Sequence, residues 1–337
     1  MNIFSVAPKE LTNSAMWAWI FAGLRLPEGV DDPRRQIAVN ALQIMGVPVP
    51  DPADVHEVLT ERSLRTVRDI QGKNSSLRMD IFMRCTGKMP FVFFAENKVV
   101  ELSEKRNGSS KNIENLLKQI ENYDSYLRMI ACDQPSYCNA VYPAYFGYEP
   151  DVANEIDRVA KKNGSNLSGR IVGFHIGKML QSFDGIDLNG NSILADFKKW
   201  LESRKKGLDI RSRVRNGEKV NIKDVHDYSK EMGFWDLLYE FLYLYNKTRL
   251  KKLRCDIGIR NLNFIDRSST PLTLRWFYNS GHNGLYVGVH SKYNEMMGIK
   301  SQFKDFPDGF AYEKDSEWNF GYLTCVDDVK RFFAAIN

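Results

Sequence analysis

The chain has 337 residues, 43% of them hydrophobic and 26% charged, with a formal net charge of +5. That composition describes an ordinary globular protein, and no apolar run approaches the ~20 residues that a membrane-spanning helix needs. The N-terminal "MNIFSVAPKEL" lacks the basic-then-apolar layout of a signal peptide. Five scattered cysteines (Cys85, Cys132, Cys138, Cys255, Cys325) show no CxxC spacing, which argues for free thiols in a reducing, cytoplasmic setting and against a structural zinc.

Taken in order, residues 7–23 carry apolar positions at helical spacing through Trp17, Ile20 and Phe21. "DDPRRQIAVNALQIMG" reads as a second helix, opened by Asp31 or Asp32 and ended near Gly46. Strand signals follow at about 63–71, 77–86 and 90–99, and the polar loop "SEKRNGSSKN" then leads into a long helix at 111–130. A strand at 136–146, a helix near 150–162 and a strand in "GRIVGFHI" complete a mixed α/β core. Helices are expected at 190–206 and 221–246, strands in "LTLRWFYNS" and "GLYVGVHSKY", and a closing helix at 326–336. The expected organisation is a core over 1–185 with an α+β extension over 186–337.

Between Lys198 and Lys219 stand nine Lys/Arg against three acidic residues. Lys198, Lys199, Arg204, Lys205, Lys206, Arg211, Arg213 and Arg215 form either the electrostatic footprint of a phosphate backbone or a solvated helix face. A second basic group runs from Lys247 to Arg254. The aromatic run Phe234, Trp235, Tyr239, Phe241, Tyr243 and Tyr245 reads as core rather than as a base-stacking platform.

The chemistry concentrates in "LRMDIFMRCTGKMPFVFFAENKVV", residues 77–100. If the two apolar runs pair antiparallel across a loop centred on Lys88, paired residue numbers sum to 176. Asp80 then faces Glu96 with Cβ atoms about 5 Å apart, and Lys98 shares the face of Glu96. Gly87 supplies the positive φ that a short loop wants, while a one-residue slip would send Asp80 to the other face. Two opposed carboxylates repel, and a divalent cation removes the objection because hard oxygen ligands suit Mg²⁺, with Mn²⁺ able to substitute. With Lys98 beside them, the trio is a site for hydrolysing a phosphate ester.

The segment "MD…AENK" resembles the Asp–Glu-x-Lys signature of the PD-(D/E)xK nuclease superfamily, with Met79 in place of the usual proline. The order helix–strand–strand–strand–helix–strand over residues 7–146 is similar to that family's core. The resemblance implies a restriction-endonuclease-like mixed sheet flanked by helices and a Mg²⁺-dependent DNA endonuclease acting on duplex DNA, with two copies needed to cut both strands. It implies Asp80, Glu96 and the Asn97 main-chain carbonyl as metal ligands, Lys98 as the catalytic lysine, and Glu10 and Gln119 as accessory residues, with Tyr123 one turn beyond Gln119. The start "NIFSVAPKELTNSAMWAWIF" is similar to standalone bacterial members associated with restriction or defence. The other readings are a catalytically silent nucleic-acid-binding module on the same fold and an RNA-directed nuclease.

Overall fold

The computed structural model describes residues 9–68, 74–98, 106–258, 261–267, 269–276, 285–290, 292, 311–312 and 318–336. Of the expected polar loop at 103–112, residues 103–105 lie outside them, whereas 106–112 form the first turns of the long helix, which starts earlier than the expected 111. The chain forms two compact units, Met1–Lys205 and Lys206–Asn337.

The first unit opens with helix α1 (Lys9–Ala22) and helix α2 (Pro33–Met45). The sequence dictates both ends of α2. Asp32 caps it by accepting the Arg34 N–H at 2.8 Å, Pro33 occupies the first turn, and Gly46 ends it at φ 67°. Strand β1 (Val55–Arg68) pairs antiparallel with β2 (Asn74–Cys85), which pairs antiparallel with β3 (Phe91–Asn97). Helix α3 (Arg106–Asp133) crosses over to β4 (Ala140–Phe146), parallel to β3, and α4 (Pro150–Lys162) crosses to β5 (Val172–Phe174), parallel to β4. The result is a mixed five-stranded sheet in the order β1-β2-β3-β4-β5.

Every residue of β3 is buried, because helices cover both faces of the sheet. On one face Trp17 and Phe21 of α1 meet Phe93, Phe146 and Phe174 edge-on or tilted, at ring separations of 5.0 to 6.4 Å. On the other, Phe82, Val92 and Phe94 pack with Ile113, Leu116, Ile120 and Tyr123 of α3. Helices α5 (Ile176–Gln181) and α6 (Ser192–Arg215) follow.

The division falls inside α6 at Lys205/Lys206, later than the expected 185/186. Its cause is packing: Phe197 meets Trp17 and Phe183, and Trp200 meets Tyr148, whereas Ile210 and Val214 belong to the second core. In the second unit the run expected as one helix over 221–246 is two, α7 (Ile222–Met232) and α8 (Trp235–Lys247). They are split where Gly233 adopts φ 79°. Strands β6 (Arg254–Ile257), β7 (Asn261–Asp266), β8 (Ser269–Arg275), β9 (Leu285–His290), β10 (Ala311–Tyr312) and β11 (Trp318–Leu323) form a second sheet in the order β10-β11-β9-β8-β7-β6, antiparallel throughout. Helix α9 (Val326–Ile336) closes the unit, with Phe332 and Phe333 against Phe241 of α8.

Among the described residues no helix is long and apolar enough to cross a membrane. Trp17 is fully buried against five phenylalanine rings that include Phe183 and Phe197. Trp17→Ala is therefore expected to cost about 3–5 kcal/mol in urea unfolding of the full chain. A loss below about 1 kcal/mol would contradict this packing.

Candidate active site

The hairpin adopts the sum-176 register, pairing Cys85 with Phe91 and Ile81 with Ala95, and Gly87 in its loop has φ 93°. Asp80 and Glu96 are the next positions along each strand, just beyond the Ile81–Ala95 pair. Glu96 faces α3 on the side of Val92 and Phe94, and it is fully buried. Its Oε1 accepts from Gln119 Nε2 at 2.8 Å and lies 3.2 Å from Lys98 Nζ. Its Oε2 is buried and makes no hydrogen bond. Burial first, and then the neighbouring Asp80 charge, push the Glu96 carboxyl up to about 7, against the pull of Lys98 and Gln119.

Asp80, half-buried, accepts the Asn97 N–H through Oδ2 at 2.8 Å. The Lys98 side chain is 39% exposed, so its ammonium lies between Glu96 and solvent. Gln119 also donates to the Tyr123 hydroxyl at 2.6 Å, which in turn donates to the Arg78 carbonyl at 2.5 Å. Both amide hydrogens of Gln119 are thereby assigned, and the amide is fixed with its nitrogen toward Glu96. Burial and the Glu96 charge raise the Tyr123 phenol, which keeps it a neutral hydrogen-bonding post.

Three other features escaped the sequence reading. The Asn97 side chain turns away from Glu96 and binds Asn13 and Ser14 of α1. The Tyr145 hydroxyl donates to the Lys98 carbonyl at 2.8 Å. Between the β1–β2 pairs Thr60↔Ile81 and Arg62↔Met79, Glu61 stands opposite Asp80 with φ 54°, a left-handed backbone that L residues seldom adopt. A Glu in a strand carries no local signal for such a turn, and the polar residues Asn13 and Ser14 in an apolar helix were the only visible hint of the α1 contact.

Glu10 lies on α1, one turn before Asn13 and Ser14, but its side chain lies outside the described residues. Arg78 pairs with Glu61, while Arg84 lies 3.7 Å from Glu57 and over the Tyr137 ring, so both engage residues other than Asp80 and Glu96.

The basic segment is not one open stripe. Arg211 is 5% exposed, which corrects its assignment as a phosphate contact. Arg213 binds Asp224 and the Lys219 carbonyl, Lys206 pairs with Asp227, and Arg204 stacks over Tyr148. Lys199 and Lys205 are exposed, Lys198 is half-buried, and the Arg215 side chain lies outside the described residues. The aromatic run divides by helical phase: Phe234, Phe241 and Tyr245 are buried, whereas Tyr239 and Tyr243 are exposed.

Among the described residues no group of three or more His, Cys, Asp and Glu side chains is placed to hold a metal. Two carboxylates do converge, and Mg²⁺ is commonly held by one or two, with water and substrate oxygens completing its shell. Glu96 Oε2 fits that role, as a buried acceptor without a donor. Comparison of the chain with protein-family models, curated proteins and solved structures finds no match.

The raised Glu96 pKa has a consequence for stability. Its folded value lies above the ordinary 4.5, so between those values the folded chain holds a proton that the unfolded chain has released. Glu96 thus contributes stability below about pH 4.5 that is lost as pH rises through about 7. In EDTA, Glu96→Gln is expected to melt several degrees above wild type at pH 8, from up to about 3 kcal/mol of relieved charge burial, and alongside it at pH 4.5. Equal melting of the two at both pH values would contradict the buried anion.

Proposed function

We propose that the chain is a metal-dependent phosphodiester hydrolase of the PD-(D/E)xK kind, acting as a DNA endonuclease in restriction or defence against foreign DNA. The observation that carries this reading is the Glu96 carboxylate, fully buried with Oε2 unpaired, beside Asp80 and 3.2 Å from the Lys98 ammonium. A structural strand has no use for that arrangement, since burying a carboxylate with one oxygen unpaired and a second carboxylate beside it is costly even with Lys98 and Gln119 in support.

Asp80, Glu96 and the Asn97 carbonyl would hold Mg²⁺ or Mn²⁺, which when bound lowers the pKa of water and polarises a phosphodiester oxygen. Lys98 Nζ, at the solvent edge, orients the attacking water and offers positive charge to the phosphorane-like transition state. Gln119, locked by Tyr123, holds Glu96 Oε1 so that Oε2 keeps its direction. Glu10 is the accessory acid contributed by α1. Lys198, Lys199 and Lys205 remain as the phosphate-tracking residues of the basic segment, and double-strand cleavage would pair two copies.

Purified full-length chain is expected to nick and linearise plasmid DNA with Mg²⁺ or Mn²⁺ and not with EDTA. Lys98→Ala and Asp80→Ala are expected to lose at least about 100-fold in rate. Cleavage unchanged in both variants would overturn the assignment, and cleavage of RNA alone would move the substrate from DNA to RNA.

A further inference from the structure

Asn97, the residue between Glu96 and Lys98, is 1% exposed and uses its polar groups in three directions. Its Oδ1 accepts from Asn13 Nδ2 at 3.0 Å, its Nδ2 donates to Ser14 Oγ at 2.8 Å, and its N–H donates to Asp80 Oδ2 at 2.8 Å. Asn13 and Ser14 are themselves buried, at 0% and 3%. The Lys98 main chain is held on both sides as well, its N–H by the Phe146 carbonyl at 3.1 Å and its carbonyl by the Tyr145 hydroxyl.

We infer that Asn97 is a positioning residue, through whose side chain helix α1 fixes the main-chain amide that holds Asp80 beside Glu96. The inference rests on the reading of Asp80 and Glu96 as cation ligands. Elsewhere α1 meets the sheet through rings such as Trp17 and Phe21, and such packing sets a distance without setting a rotation about the strand axis. Two directed hydrogen bonds from adjacent helix residues to one amide do set it. A buried polar trio is costly, all the more because Asn13 Oδ1 has no hydrogen-bond partner, so its presence where the helix meets the end of β3 marks a point at which orientation matters.

The Asn97 N–H donates to the Asp80 carboxylate and restrains its rotamer on the side facing Glu96. The side chain that sets this amide therefore governs how well two carboxylates on different strands present themselves to one ion, while its own atoms stay on the α1 face. Substituting such outer residues costs ~10–100-fold in metal affinity in other metal sites.

The test uses the full chain, with Mn²⁺ as probe, and reads thermal shift and plasmid cleavage in parallel. Asn97→Ala, and Asn13→Ala combined with Ser14→Ala, are expected to raise the Mn²⁺ concentration for half-maximal thermal shift at least about 10-fold. The KM for DNA should stay within about twofold in each. The triple variant should be no worse than Asn97→Ala alone, since all three remove one unit. Ser14→Thr, which keeps the hydroxyl, should behave as wild type, and Ser14→Ala serves where Asn97→Ala does not fold.

A lowered melting temperature with an unchanged Mn²⁺ midpoint would overturn the inference, as would additive losses in the triple variant. A wild type without any Mn²⁺ shift overturns it together with the reading of the ligands. Lys98→Ala separates the two failures. If it shifts with Mn²⁺ and cuts as well as wild type, the catalytic role of Lys98 falls while the Mn²⁺ midpoints still decide the role of Asn97.

Discussion

The burial of the Glu96 carboxylate is the constraint around which the first unit is arranged. Strand β3 is apolar from Phe91 to Ala95 because helices cover both faces of the sheet, and a carboxylate at its end inherits that dryness. Left alone it would stay protonated well above the usual carboxylate range, and it is raised to about 7 even with Lys98 and Gln119 against it. Gln119, Tyr123, Lys98 and Asp80 can each be understood as a response to that buried group: two position it, one opposes its charge and one adds to it. Placing a second carboxylate beside it worsens the electrostatics, and only a cation or another function rewards that choice.

The two faces of the sheet divide the work. The α3 face holds the carboxylate and its hydrogen-bonding support, and the α1 face holds the backbone through Asn97. Because residues alternate along β3, Glu96 and Asn97 address opposite helices from adjacent positions. The parallel pairing of β3 with β4 adds a third restraint, since Tyr145 and Phe146 meet the Lys98 main chain. The second unit has its own aromatic core and its own antiparallel sheet, and several of its basic side chains are spent on internal acids.

Much of the hairpin was legible in the sequence. Loop length and Gly87 determined the register, and alternation then brought Asp80, Glu96 and Lys98 to one place. Gln119 was legible only through the family resemblance, and the structure brings it to Glu96. The link from Asn13 and Ser14 to Asn97 was not, because it spans more than 80 positions and depends on the rotation of α1 over the sheet. Strand β1 starts at Val55, eight residues before its expected start at 63, since "VHEVLTER" alternates too weakly to stand apart from its loop. Strands β6 and β7 were hidden by charged and polar residues on a half-exposed surface, as in "RCDI" and "NLNFID". The basic stripe was over-read: counting charges does not reveal that Arg211 turns inward or that Arg213 and Lys206 meet Asp224 and Asp227.

The central claim is that Asp80 and Glu96 together hold one divalent cation. Titration calorimetry with Mn²⁺ at pH 8, on wild type, Asp80→Asn and Glu96→Gln, addresses it without requiring a substrate. One ion bound per wild-type chain, with binding abolished in both variants and a proton released on binding at pH 6.5, is the expected result. Absence of binding by wild type, or binding that survives both substitutions, would contradict the site.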